Sequence, residues 1–216
     1  VNSGTGNVTT ITKTGTIKTT GNGSTGIRQT YGEETLTENI LTVEGSISTE
    51  GKNARAISNE TNGNKTTVSG SISTEGEIAH GIANSGNSNK TDVAGSITTQ
   101  GETAYGIYNF GNSNTTTVSG SIITGSDVAT SSKHGIYNLG DNNITILAPG
   151  GSITTTGVNT GGIFQAGDNN TAGVFGTVNS SGTGSAALYN ASGTGNTFVL
   201  NETAVIIGSI SAGNAA

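Results

Sequence analysis

Repetition constrains this chain more than any other feature. Residues 71–82 read SISTEGEIAHGI, residues 96–107 read SITTQGETAYGI and residues 46–57 read SISTEGKNARAI. The period is 25 residues, and it keeps small, apolar and Asn positions while charged and aromatic positions drift. A fixed period of this length marks a repeat architecture, in which one unit cannot bury its own core and stacking on its neighbours does so. Numbering each unit from the Ser or Thr before its first apolar residue puts the starts at Thr16, Ser46, Ser71, Ser96, Ser121, Ser152, Thr177 and Ser209. The longer units carry insertions near 30–38, 125–133, 148–151 and 197–206.

Three apolar columns run through the units. Position 2 is Ile17, Ile47, Ile72, Ile97, Ile122, Ile153, Val178 and Ile210. Position 12 is Ile27, Ile57, Ile82, Ile107, Ile136, Ile163 and Leu188, and position 23 includes Val43, Val68, Val93, Val118 and Val174. This spacing fits no helical period. Each apolar residue sits in a short alternating segment, which is strand-like. The expected fold is all-β: one domain, residues 1–216, forming a right-handed parallel β-helix (β-solenoid) of about eight coils, each coil three strands joined at Gly and Asn corners. Rungs about 4.8 Å apart give a rod on the order of 40 Å long, and right-handed is the default for parallel crossovers.

Asparagine supports the stack. Position 14 is Gln29, Asn59, Asn84, Asn109, Asn138, Gln165 and Asn190, two residues after an apolar position and so on the same inward face. A lone buried amide costs a few kcal/mol, whereas a column of amides bonds along itself. Position 19, from Asn7 and Asn39 to Asn170 and Asn196, is expected to serve the corners in the same way. Several of these read N-x-S/T, but the ladder already accounts for them. Gly at positions 6, 11, 16 and 25 marks turns with positive φ or close backbone approach.

Composition narrows the function classes. The chain has 36 Gly and only 10% charged residues, which by themselves would fit disorder, but the evenly spaced Ile and Val give every unit something to bury. A net charge of −6 without a basic patch disfavours nucleic acid or anionic membrane as a partner. No Cys is present, so disulfides and thiolate sites are excluded. No signal peptide and no apolar run of about 18 residues appears, so no membrane span is expected in this chain.

The stretch GSITTQGETAYGIYNFGNSNTTTVSGSI (95–122) resembles the repeats of autotransporter passenger domains, secreted β-helices of Gram-negative bacteria. The likeness covers nearly the whole chain. It implies export to the cell surface and a role in adhesion, aggregation or biofilm. No catalytic residue carries over from the resemblance, and residues 1–216 hold no run of amphipathic strands like the membrane barrel of that family.

Positions 3, 5, 10 and 13 are expected to point outward. Position 13 is Arg28, Ser58, Ala83, Tyr108, Tyr137, Phe164 and Tyr189, which puts four rings on consecutive rungs. Tyr105 at position 10, and Phe110 and Leu139 at position 15, lie beside them. The candidate ligand- or partner-binding residues are therefore Tyr105, Tyr108, Phe110, Tyr137, Phe164 and Tyr189. The competing reading is an aromatic ladder that serves the rod alone. His80 and His134, both at position 10, read as surface histidines. Asp141 with Asp168, and Glu50 with Glu75, place acids on adjacent rungs and read as solvated. The calcium nonapeptide pattern is missing, and no metal or cofactor is expected. No raised-pKa acid in a cleft, metal-protease or nucleophile-elbow motif favours an enzyme. An ice-binding array of outward Thr is broken by Lys65, Lys90 and Asp92.

Both ends of the chain run in repeat register. They are expected either to belong to a longer passenger or to pair with other copies end to end, with insertions 30–38 and 197–206 as partial shields. The favoured function is a non-enzymatic extracellular adhesin or aggregation module whose partner is a glycan or a host or bacterial surface. The alternative is a self-assembling filament subunit. A polysaccharide-active β-helix enzyme is the third reading.

Overall fold

Alternating apolar residues, three times per unit, do form three strands per unit. In the unit from Ser71 these are Ser71–Thr74, Ile82–Asn84 and Lys90–Val93. The structure is a computed structural model describing residues 1–3, 6–30, 38–125 and 132–213. No described residue is helical. Every strand pairs in parallel with its equivalents one unit away, giving three sheets of nine, eight and eight strands. Register is residue for residue: Ile82 lies between Ile57 and Ile107, and Asn84 between Asn59 and Asn109. The molecule is a parallel β-solenoid with seven complete coils from Thr16–Thr19 to Thr197–Leu200, flanked by partial ones.

The last unit departs from the sequence reading. Ser209 and Ile210 pair with Ala186 and Leu188, so the GSI at 208–210 lies in the sheet of position 12, not that of position 2. The position-2 residue of that rung is Ile206, opposite Val178. Residues 197–206, expected as an insertion, mostly form the regular strands Thr197–Leu200 and Val205–Ile207, with a turn at Asn201 between them. The short apolar motif is ambiguous, and pairing with the rung beneath decides its sheet. The insertions at 30–38 and 125–133 fall mostly outside the described residues, as does the shielding expected of the first.

The three apolar columns close on one another in a single core that runs from Ile27 and Leu41 to Val178 and Leu188. Inside it, amides bond along the axis. Asn59 Nδ2 donates to Asn84 Oδ1, Asn84 to Asn109 and Asn109 to Asn138, each at 2.7 Å. Each amide also donates to a threonine of its own coil, such as Asn84 to Thr91 Oγ1 at 3.2 Å. Thr66, Thr91, Thr116 and Thr145 thus form a second inward polar column at position 21. At Leu41 and Ala172 that position is apolar and the amide is Gln29 or Gln165, whereas Phe198 at the same position keeps Asn190.

Position 19 forms another ladder, in which each buried Asn caps the backbone of the rung before it. The N–H groups of Asn64, Asn89, Asn114 and Asn143 donate at 2.8 Å to the side-chain oxygens of Asn89, Asn114, Asn143 and Asn170. Burial of these amides removes them as glycosylation acceptors in the folded chain.

The glycines divide into two kinds. At Gly95, a Cβ would collide with the backbone of Gly70 one rung below, so close stacking rather than torsion requires glycine there. Left-handed backbone falls instead at positions 8 and 18, which are mostly not glycine: Asn53, Ile78, Thr103 and Asn159, and Ser88, Ser113, Asn142 and Asn169, all with φ of 54–57°. A β-branched residue there is strained by about 1–2 kcal/mol.

Two stability tests follow from this geometry. Ile78→Asn, the residue found at the same corner in Asn53 and Asn159, is expected to stabilise the fold by about 1 kcal/mol in urea unfolding. Asn84→Ala leaves Asn59 and Asn109 facing a gap in the ladder and is expected to destabilise it by about 2–4 kcal/mol.

Candidate binding face

The aromatic residues gather on one edge because position 11 has no side chain. Position 11 is Gly81, Gly106, Gly135 and Gly162 in four successive coils; the chain bends at Gly81 and Gly106, whereas Gly135 and Gly162 lie within strands. A Cβ at Gly106 would strike the Ile122 side chain and, at 2.6 Å, the Gly135 carbonyl oxygen. In these coils the side chains of positions 10 and 13 meet on the same outer edge.

Two ring columns result. At position 10, His80 stacks on Tyr105 (4.8 Å, 2°), Tyr105 on His134 (5.2 Å, 14°), and His134 on Phe164 of the next rung (4.2 Å, 23°). At position 13, Tyr108, Tyr137, Phe164 and Tyr189 occupy consecutive rungs as expected. Their rings are tilted or edge-on rather than stacked, with centroids 5.3, 4.9 and 5.0 Å apart. The columns interlock through Tyr105, which meets Tyr108 and Tyr137 edge-on at 5.3 and 5.1 Å. Phe110 joins through Tyr108 at 5.9 Å. All six candidate residues therefore belong to one cluster.

Exposure within the cluster is uneven. The position-13 rings are half-buried, whereas Phe110 is 55% exposed and is the ring offered most openly to solvent. His80 and His134 are not surface residues: they are 2% and 5% exposed, covered by the neighbouring rings. Alternation placed them outside the apolar core, but it could not reveal that position 13 closes over position 10. Burial holds His134 neutral, its pKa pushed down to about 3. Burial, with a smaller contribution from Arg55, does the same to His80, also to about 3. Burial, then the neighbouring Tyr137 and Tyr108, pushes Tyr105 up to about 12. His80, His134 and Tyr105 are therefore uncharged at neutral pH, with Arg55 at the head of their column.

Three of the acids on adjacent rungs, Asp141, Asp168 and Glu50, have structural partners. Asp141 Oδ1 accepts the Asp168 N–H at 2.8 Å, and Asp168 Oδ1 accepts the Thr194 N–H at 2.6 Å. They continue an exposed staircase begun by Asn62, Asn87 and Asn112. Glu50 pairs with Lys18 across a rung at 2.6 Å. Among the described residues, no three His, Asp or Glu converge as metal ligands, and no helix is long and apolar enough to cross a membrane.

No protein-family model, curated protein or solved structure matches this chain. What the coordinates share with β-helix repeat proteins is the parallel solenoid itself.

The buried histidines give the fold an acid limit. Their folded pKa lies below the unfolded value of 6.5, so the unfolded chain takes up protons first. Their contribution is complete above about pH 6.5 and is lost progressively as pH falls toward 3, at about 1.4 kcal/mol per pH unit for each histidine. His134→Phe, which keeps a ring in the stack, is expected to shallow the pH dependence of unfolding in that window by about one such increment.

Proposed function

We propose that the protein is a non-enzymatic adhesion module, working outside the cell in the manner of the autotransporter passengers that its repeats resemble. Its mechanism is contact along the length of a rigid rod, with the aromatic edge as the contact face. The observation that supports this reading is the run of rings on successive rungs, ending in the exposed Phe110. A ladder that served only the rod would gain little from leaving a phenylalanine more than half exposed, because apolar area in water is unfavourable by about 25 cal/mol per Å². Rings at rung spacing repeat the same weak contact several times. Several weak contacts on one rigid body add into firm attachment without one tight site.

A surface-adhesion assay with labelled protein on bacterial and epithelial cells tests the proposal. Phe110→Ala, which removes the most exposed ring and a single ring contact, is expected to lower retention at least tenfold while leaving the unfolding midpoint near that of the parent. Unchanged retention removes this face as the contact surface. Fibres of the purified chain in electron micrographs would favour the filament reading instead.

A further inference from the structure

An oxidising equivalent has few places to go in this chain. It contains no Cys, Met or Trp, so the thiol, thioether and indole groups that oxidise most readily are all absent. Tyrosine is then the side chain that gives up an electron most easily, and the chain has five. Tyr31 lies outside the described residues. Three of the others form a triad: Tyr105 meets Tyr108 at 5.3 Å and Tyr137 at 5.1 Å, and Tyr108 meets Tyr137 at 5.3 Å. Tyr189 stands apart from it, because Phe164 takes the rung between Tyr137 and Tyr189. The fold therefore gathers phenols from two successive coils and keeps a fourth as an isolated control.

Geometry separates the pairs within the triad. Tyr105 is held in place. Its ring is stacked between His80 (4.8 Å, 2°) and His134 (5.2 Å, 14°), and its N–H donates to His80 Nδ1 at 3.1 Å. One coil on, the corresponding N–H of Gly161 goes to the Lys133 carbonyl at 3.0 Å, and His134 Nδ1 has no hydrogen-bond partner among the described residues. Tyr105 also meets both other tyrosines edge-on, at 63° and 86°. Tyr108 and Tyr137 are placed differently. They are register partners on adjacent rungs, half-buried, with their ring planes 32° apart. Their centroid separation of 5.3 Å is close to the rung spacing of about 4.8 Å, so the two side chains run alongside each other as far as the ring. The carbons ortho to the two hydroxyls are then neighbours, and both rings have an open side toward which they can adjust.

We propose that Tyr108 and Tyr137 form a covalent modification site, at which a one-electron oxidant joins the two rings into a dityrosine that ties one coil to the next. Each phenol first gives up one electron and its hydroxyl proton, which leaves a tyrosyl radical. The two radicals pair to form one C–C bond between the carbons ortho to oxygen. The hydrogen on each of those carbons then leaves as a proton while each oxygen regains one, and both phenols are restored. Two electrons and two protons leave in all. With hydrogen peroxide and a haem peroxidase as the oxidant, they convert one peroxide into two waters. Placement supplies the selectivity, because each radical is held beside its partner instead of having to meet it in solution. The bond closes a loop between residues 108 and 137, which restricts the unfolded chain as other cross-links do. The site requires nothing of the adhesion reading and holds whatever the rod contacts.

The test oxidises the whole chain at high dilution, once with hydrogen peroxide and a haem peroxidase and once with persulfate and a photoexcited ruthenium complex, a smaller oxidant. The expected product is a monomer with dityrosine fluorescence and an intact mass lower by two hydrogens. Lys133 is the only Lys or Arg after Lys90, so trypsin acting on the denatured chain parts Tyr108 from Tyr137. After oxidation, peptides 91–133 and 134–216 are expected to stay joined. Tyr108→Phe and Tyr137→Phe are each expected to lower that yield at least tenfold. Both keep a ring in the column, and an unchanged unfolding midpoint before oxidation verifies the fold. Tyr105→Phe and Tyr189→Phe are expected to leave the yield unchanged. The linked chain is expected to unfold at higher urea than the untreated one. Absence of joined peptides with both oxidants overturns the site. So does an equal yield from the urea-unfolded chain, or linkage that survives Tyr108→Phe or Tyr137→Phe.

Discussion

In-register stacking sets the terms for everything else in this molecule. Rungs about 4.8 Å apart place each side chain directly over its own equivalent. An inward amide then finds another amide as its nearest neighbour, and Asn59 through Asn138 become a chain of 2.7 Å hydrogen bonds instead of a row of buried penalties. The same spacing leaves no room for a Cβ where backbones cross closely, which is why Gly95 sits over Gly70 and Gly120 over Gly95. Apolar columns supply the driving force, since each rung buries an Ile or Val that a single coil could not cover. The amides and glycines make that burial compatible with a single register, because a slip by one residue would turn Asn outward and place Thr or Ser against the core.

The outer edge obeys the same rule with a different result. Rings repeated at rung spacing must contact one another, and two columns side by side interlock. Each contact contributes roughly 0.5–1.5 kcal/mol beyond burial. The cluster therefore stabilises the rod, and the same face is the one proposed to meet a partner. His80, Tyr105 and His134 form the inner, structural layer. Phe110 and the open sides of Phe164 and Tyr189 form the outer one.

Much of this could be read from the repeat. The period fixed the coil, and alternation around Ile82 and Asn84 identified both as inward. The ring column at Tyr108, Tyr137, Phe164 and Tyr189 followed from counting. Less accessible features depended on what lies between columns. Thr91 is inward by the same alternation, two residues before Val93, but its partnership with Asn84 joins two strands of one coil and appears only when the coil closes. The burial of His80 and His134 required knowing that the corner at position 11 folds one ring column over another. The strained corners at Ile78 and Thr103 are announced only by other units, where Gly23, Asn53, Asn159 and Gly184 hold the same corner, and not by the residues themselves. Ser209 misled because a three-residue motif matches two sheets equally well.

The sequence by itself determined the parallel stack, its register and the identity of each column, because a period of 25 residues leaves only one way to superpose Ile on Ile and Asn on Asn. Tertiary structure alone decided which outward columns are covered, where the backbone turns left-handed, and why one histidine is satisfied while its counterpart is not. Those outcomes depend on the angle at which adjacent strands meet and on which N–H a neighbouring ladder has already taken, and a linear order of residues records neither.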